Sequence, residues 1–90
     1  MACTLKTRDA AKQIVFAVVR ANANNAKITE QTDVVKRFGW NKQMLGAIFD
    51  SIADQVQQAG CHLDNRPAFQ ELSKVGEMVD FVWDQVRLQP

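Results

Sequence analysis

The chain predicts an all-α domain, a four-helix bundle with a long loop between its first two helices and a short third helix. Two observations carry this expectation. Apolar residues recur at the 3.6-residue spacing of a helix face in three separate stretches. The composition, 47% hydrophobic with two prolines, four glycines and no tyrosine, suits a compact helical protein better than a disordered or all-β chain.

The first stretch gives a helix from about Thr7 to about Ala23, with Ala11, Ile14, Val15, Val18 and Val19 on one face, widened by Phe16. Asn22 to Asn25 end it, because Asn enters the left-handed region and caps more readily than most residues. Residues 26 to 40 form the long connection. Ile28, Val34, Val35 and Phe38 fold over the core there, with one turn of helix around Asp33 to Phe38 that Thr32 or Asp33 caps. Phe38-Gly39-Trp40-Asn41 then reads as a stop followed by a start. The second long helix begins near Asn41, buries Leu45, Ile48, Phe49, Ile52 and Val56, and ends at Gly60. Gln43, Asp50, Asp54 and Gln57 fall between these positions and are wetted. A short third helix lies within Asp64 to Leu72, with Pro67 early in it and Phe69 and Leu72 as anchors. Ser73 caps the last helix, whose face is Val75, Met78, Val79, Val82 and Val86, bordered by Phe81 and Trp83. The expected core is Ile14, Val15, Val18, Ile48, Phe49, Ile52, Val56, Leu72, Val79 and Val82.

Ninety residues are enough for one core, so 1–90 reads as a single domain with an ordered core over about 7–86 and disorder confined to the ends. The formal charge of +1 gives no global field toward nucleic acid or an anionic membrane. Its distribution is less even: Lys6, Arg8, Lys12 and Arg20 make the beginning basic, and Asp64, Glu71, Glu77, Asp80 and Asp84 make the end acidic, so the two ends are candidates to meet. The N-terminus lacks the apolar core of a secretory signal, and no apolar run is long enough to span a bilayer, so the expected location is cytoplasmic. Cys3 and Cys61 are widely spaced and without CxxC geometry. They indicate neither a disulfide framework nor a zinc site, and read as a free thiol near a loose end and a small half-buried residue.

Few residues offer chemistry. His62 is the sole histidine and has no ligand or nucleophile near it in sequence, so it reads as a loop residue. There is no paired acid and base in a recognisable frame, no glycine-rich phosphate loop and no metal spacing, so an enzyme is not expected. The junction at Asn41 is the natural place for recognition, since a helix N-terminus presents unpaired N–H donors and a positive partial charge.

Two segments resemble the acyl carrier proteins, the phosphopantetheine-binding four-helix domains of fatty-acid and polyketide synthesis. Ile28-Thr29, Val34, Phe38-Gly39 and the helix after Asn41 follow the family's I/V-T-x-x-x-x-Φ-x-x-x-L-G-x-D-S-L without a gap. Lys74-Val75-Gly76-Glu77-Met78-Val79-Asp80-Phe81-Val82 is similar to its closing T-V-G-D-Φ-Φ-D-Φ-Φ. The resemblance implies an acyl-carrier-like bundle, a role in docking to synthase or ligase partners, and a serine esterified by 4'-phosphopantetheine. At that point this chain departs from the family. The family's D-S-L is Asn41-Lys42-Gln43, and a lysine amine cannot accept the prosthetic group by the usual phosphodiester chemistry. Asp50-Ser51-Ile52 offers a rival D-S-L-like tripeptide, but it places Ser51 inside a helix rather than at its start.

The expected function is therefore a monomeric carrier-like module without phosphopantetheine or any other cofactor, docking to a protein partner through Trp40, Asn41, Lys42 and Met44. One alternative is an active carrier modified at Ser51. Another is a helix-turn-helix DNA-binding domain, because Val35 to Asn41 followed by Leu45 and Ile48 also fits that spacing with Gly39 in the turn. Against DNA, the helix after Asn41 offers Lys42 as its sole basic side chain and carries Asp50 and Asp54.

Overall fold

Three of the helices begin where a short polar side chain accepts from backbone N–H groups that have no partner inside the helix. The computed structural model describes residues 2–90. Its first helix, α1 (Arg8–Ala21), is capped by Thr7, whose hydroxyl accepts from the Ala10 N–H at 3.1 Å. It stops at Asn22, and the chain reverses through Asn24 and Asn25, both at positive φ. Asp33 caps α2 (Val34–Phe38), accepting from the N–H groups of Val35 and Lys36, and Gly39 ends it at φ 70°. Asn41 caps α3 (Lys42–Gln58) by accepting from Met44 at 2.9 Å, and Gly60 turns the chain away beyond its end at φ 80°. Pro67 lies in the first turn of α4 (Arg66–Phe69), and α5 (Val75–Val86) follows.

The fold is thus all-helical, with no strand among the described residues. The helices among the described residues number five rather than four, since the turn expected near Asp33 is a helix in its own right. Ser73 does not cap α5. Lys74 stands at that position, and the cap comes from inside the helix, where Glu77 accepts from the backbone N–H groups of Lys74 and Ser73 at 3.0 and 3.3 Å.

Helix α1 packs against α5 and α3, and α4 packs against α3. Val15 and Val19 of α1, Ile52 and Val56 of α3, and Met78, Val79 and Val82 of α5 are fully enclosed. Phe49, Phe69 and Phe81 meet edge to face at centroid separations of 5.5 to 6.4 Å, the geometry aromatic quadrupoles favour. Ile14 and Leu72, expected in the core, are only half-buried. Ile14 lies on the flank of α1 and Leu72 in the link between α4 and α5, and each lines a surface cleft.

The long connection is held by the start of α5. Val75 and Gly76 donate their N–H groups to the carbonyls of Thr32 and Glu30 at 3.0 and 2.8 Å, while Val34 donates to Ser73 at 2.8 Å. Unpaired donors at the helix start are satisfied, and the loop is fixed along it. Arg8 closes the same corner, reaching Glu30 with both terminal nitrogens and Asp80 of α5 with Nε at 2.9 Å. One basic residue of the chain's beginning therefore meets an acidic residue of its end.

The expectation for the cysteines is overturned. Cys3 and Cys61 form a disulfide, and both are buried. Leu5 is buried beside them, and the Cys3 N–H donates to the Pro90 carbonyl at 2.7 Å, so residues on both sides of 7–86 are fastened to the body.

Candidate functional site

The junction between α2 and α3 arises from three local devices: the left-handed turn at Gly39, the indole of Trp40 and the cap at Asn41. Trp40 is 8% exposed and its ring lies 5.5 Å from that of Phe38, so it closes the core from the loop. The Asn41 side chain is engaged by the Met44 N–H. Met44 is half-buried and lies off the cleft described below. Of the expected docking residues, Lys42 alone is both exposed and charged. It is the first residue of α3, its Nζ lies 2.7 Å from Glu71 Oε1, and its carbonyl accepts from Gln70 Nε2 at 2.9 Å.

Beside this junction is a cleft of about 250 Å³, whose lining includes Val35, Trp40, Lys42, Leu45, Leu72 and Ser73. The structure thus gathers Trp40, Asn41 and Lys42 on one cleft and adds an opposite wall, Gln70 to Ser73, that the sequence did not suggest. Val35 is 40% exposed here, one of two large apolar residues left in water among the described residues. A broader groove of about 470 Å³ runs between α1 and α3.

Ser51 is exposed in the middle of α3, one turn before Gln55, which lines that broader groove. Its position is helix interior, where the backbone N–H groups are spent on the helix itself. His62 is exposed in the loop after α3, its Nε2 3.4 Å from the equally exposed Asp64 carboxylate. Among the described residues, no group of three or more His, Cys, Asp or Glu side chains could hold a metal ion. No helix among them is long and apolar enough to cross a membrane.

No family model, curated protein or solved structure matches the chain.

The electrostatics of this region are those of anchoring. The Arg8 guanidinium holds the Glu30 carboxyl below the usual carboxylate range, and the backbone N–H groups of Lys36 and Val35 do the same for Asp33. Asp50, which would face DNA in a helix-turn-helix reading, is paired with Arg66 at 2.9 Å. Lys42, the basic residue that reading needs, already has Glu71.

Proposed function

We propose that the chain is an acyl-carrier-like binding module that carries no phosphopantetheine and docks to a protein partner at the start of α3. The observation that carries the reading is Lys42. It occupies the position that the resembling pattern gives to the esterified serine, at the exposed N-terminus of a long helix, with its ammonium held by Glu71. The partner contacts the cleft through Val35, the rim of Trp40 and the Lys42–Glu71 pair. The disulfide supports an oxidising compartment over the cytoplasm as the place of action, because such bonds are rare where thiols are kept reduced.

Intact mass after incubation with coenzyme A and a broad-specificity pantetheinyl transferase tests the reading. No gain is expected for the unaltered chain. Lys42→Ser gains at most partial modification, because Asn41 and Gln43 still replace the flanking residues that the transferase reads. Modification of the unaltered chain, lost on Ser51→Ala, would overturn the proposal in favour of an active carrier. That second reading has its own support in the position of Ser51 near the broader groove. Salt-sensitive retention on DNA would favour the helix-turn-helix alternative instead.

A further inference from the structure

The broader groove has no part in the proposal above. Ala10, Gln13, Ile14, Ala17 and Ala21 of α1 form one wall and Gln55 of α3 stands on the other. No ionisable side chain lines it, in a chain that is 23% charged. Ala10, Ile14, Ala17 and Ala21 follow one another at i, i+4, i+7 and i+11, a single face that lies beside the buried Ala11, Val15 and Val19. Between its first and last alanine the face rises about 16 Å. The groove is open along that length, so it suits a helix lying in it better than a small molecule enclosed by it.

The charges beside the groove identify the helix. Asp9 and Arg20 are exposed, and neither is in an ion pair among the described residues. Asp9 accepts only from Gln13 Nε2, at 2.9 Å. Eleven positions, about three turns, separate the two residues, so they project from the same flank at opposite ends of the groove. A helix with this arrangement is complementary to itself turned end for end. A twofold axis midway between Asp9 and Arg20 sets Asp9 against Arg20 of the second copy, twice, and leaves Ile14 within one turn of that copy's Ala17.

We infer that α1 pairs antiparallel with α1 of a second copy of this chain, forming a weak twofold dimer. The contact is isologous, so it closes on itself and does not propagate. One helix pair buries less than the 1,200–2,000 Å² typical of stable complexes. Association is therefore concentration-dependent, with a dissociation constant of order 100 µM.

Sedimentation equilibrium of the full chain at low salt, from about 10 µM to about 1 mM, tests this directly. The weight-average mass should climb from one copy toward two. Ala17→Glu should abolish the climb while circular dichroism shows an intact helical fold. Asp9→Arg and Arg20→Asp should each weaken association about tenfold, and the double variant Asp9→Arg, Arg20→Asp should recover most of it. Recovery depends on the two charges facing each other across the axis, which a general loss of α1 stability would not reproduce. A mass that stays at one copy throughout, a dimer indifferent to Ala17→Glu, or a double variant no better than the singles would each overturn the inference. So would a fatty acid such as palmitate shifting the groove's NMR resonances in a chain that remains monomeric.

Discussion

Cys3 and Cys61 are joined by a disulfide, their Cα atoms 4.6 Å apart although 58 residues separate them in the chain. The bond is the covalent part of a larger fastening. Next to it, both the backbone N–H and the hydroxyl of Thr4 donate to the Ala59 carbonyl, at 2.9 and 3.0 Å. Gln89 bridges the backbone of His62 in both directions. The two ends of the chain and the loop after α3 therefore form one knot.

Opening that bond frees a long loop in the unfolded chain. A closure of this length is worth about 4 kcal/mol on the chain-entropy account. Reduction should lower the denaturation midpoint of the unaltered protein to that of a Cys3→Ala, Cys61→Ala double variant, whose own midpoint reductant leaves unmoved. Equal midpoints with and without reductant in the unaltered chain would show that the bond carries no stability.

Phe49 is 6% exposed and has the rings of Phe69 and Phe81 against it. Phe49→Ala should cost ~3–5 kcal/mol, a large share of what a domain this small possesses. Leu72→Ala, at a half-buried position beside the cleft, should cost clearly less. Urea titrations of the two variants give the comparison, and an equal loss would mean that the aromatic cluster is not the centre of the core.

Local signals in the sequence were good guides, and distant pairings were not. The face Leu45, Ile48, Phe49, Ile52 and Val56 was legible because a helix period repeats within a few residues, and every member is buried. The helix start near Thr7, a cap at Thr32 or Asp33, the cap at Asn41 and the stop at Gly60 were legible for the same reason, whereas the cap expected at Ser73 was misplaced by one residue. The disulfide was not, since two cysteines carry no spacing signal and their meeting depends on how the whole bundle closes. The partnership of Lys42 with Glu71 and the far wall of the cleft at Gln70 to Ser73 depend on where α4 lands, which no periodicity encodes. Trp40 illustrates a different limit. Its residue type suits an interface anchor and a core plug equally well, and burial alone separates them.

Strong acid should undo the corner at Glu30. The guanidinium of Arg8, with help from Lys12, holds the Glu30 carboxyl below its ordinary pKa. A carboxylate with a depressed folded pKa adds stability above its unfolded value, about 4.3, and loses it as pH falls through the lower folded value. Glu30→Gln should therefore be less stable than the unaltered chain near neutrality, with the gap closing as the medium becomes acidic. Thermal melts across that range test the sign. A gap that widens toward acid would mean that Glu30 is not held by the arginine.

Two glycines inside helices make the final prediction. A Cβ at Gly46 of α3 would meet Arg66 Nη2 at 2.5 Å and Gln70 Nε2 at 2.8 Å, the far ends of flexible side chains. Moving Arg66 disturbs its pair with Asp50, an exposed contact worth at most about 1 kcal/mol, while alanine in a helix interior returns about the same amount. Gly46→Ala should be nearly neutral. At Gly76 of α5 the Cβ would stand 2.9 Å from the backbone oxygen of Glu30, the atom that accepts the Gly76 N–H. That oxygen belongs to the loop fixed along the helix start and cannot swing aside, so relief requires loosening the loop itself. Gly76→Ala should cost about 1–3 kcal/mol despite the better helix propensity. It should also speed hydrogen exchange at Val75 and Gly76, whose N–H groups donate to the loop. Equal melting temperatures for the two variants, with exchange unchanged, would show that the loop does not bear on α5 as closely as the contact distances require.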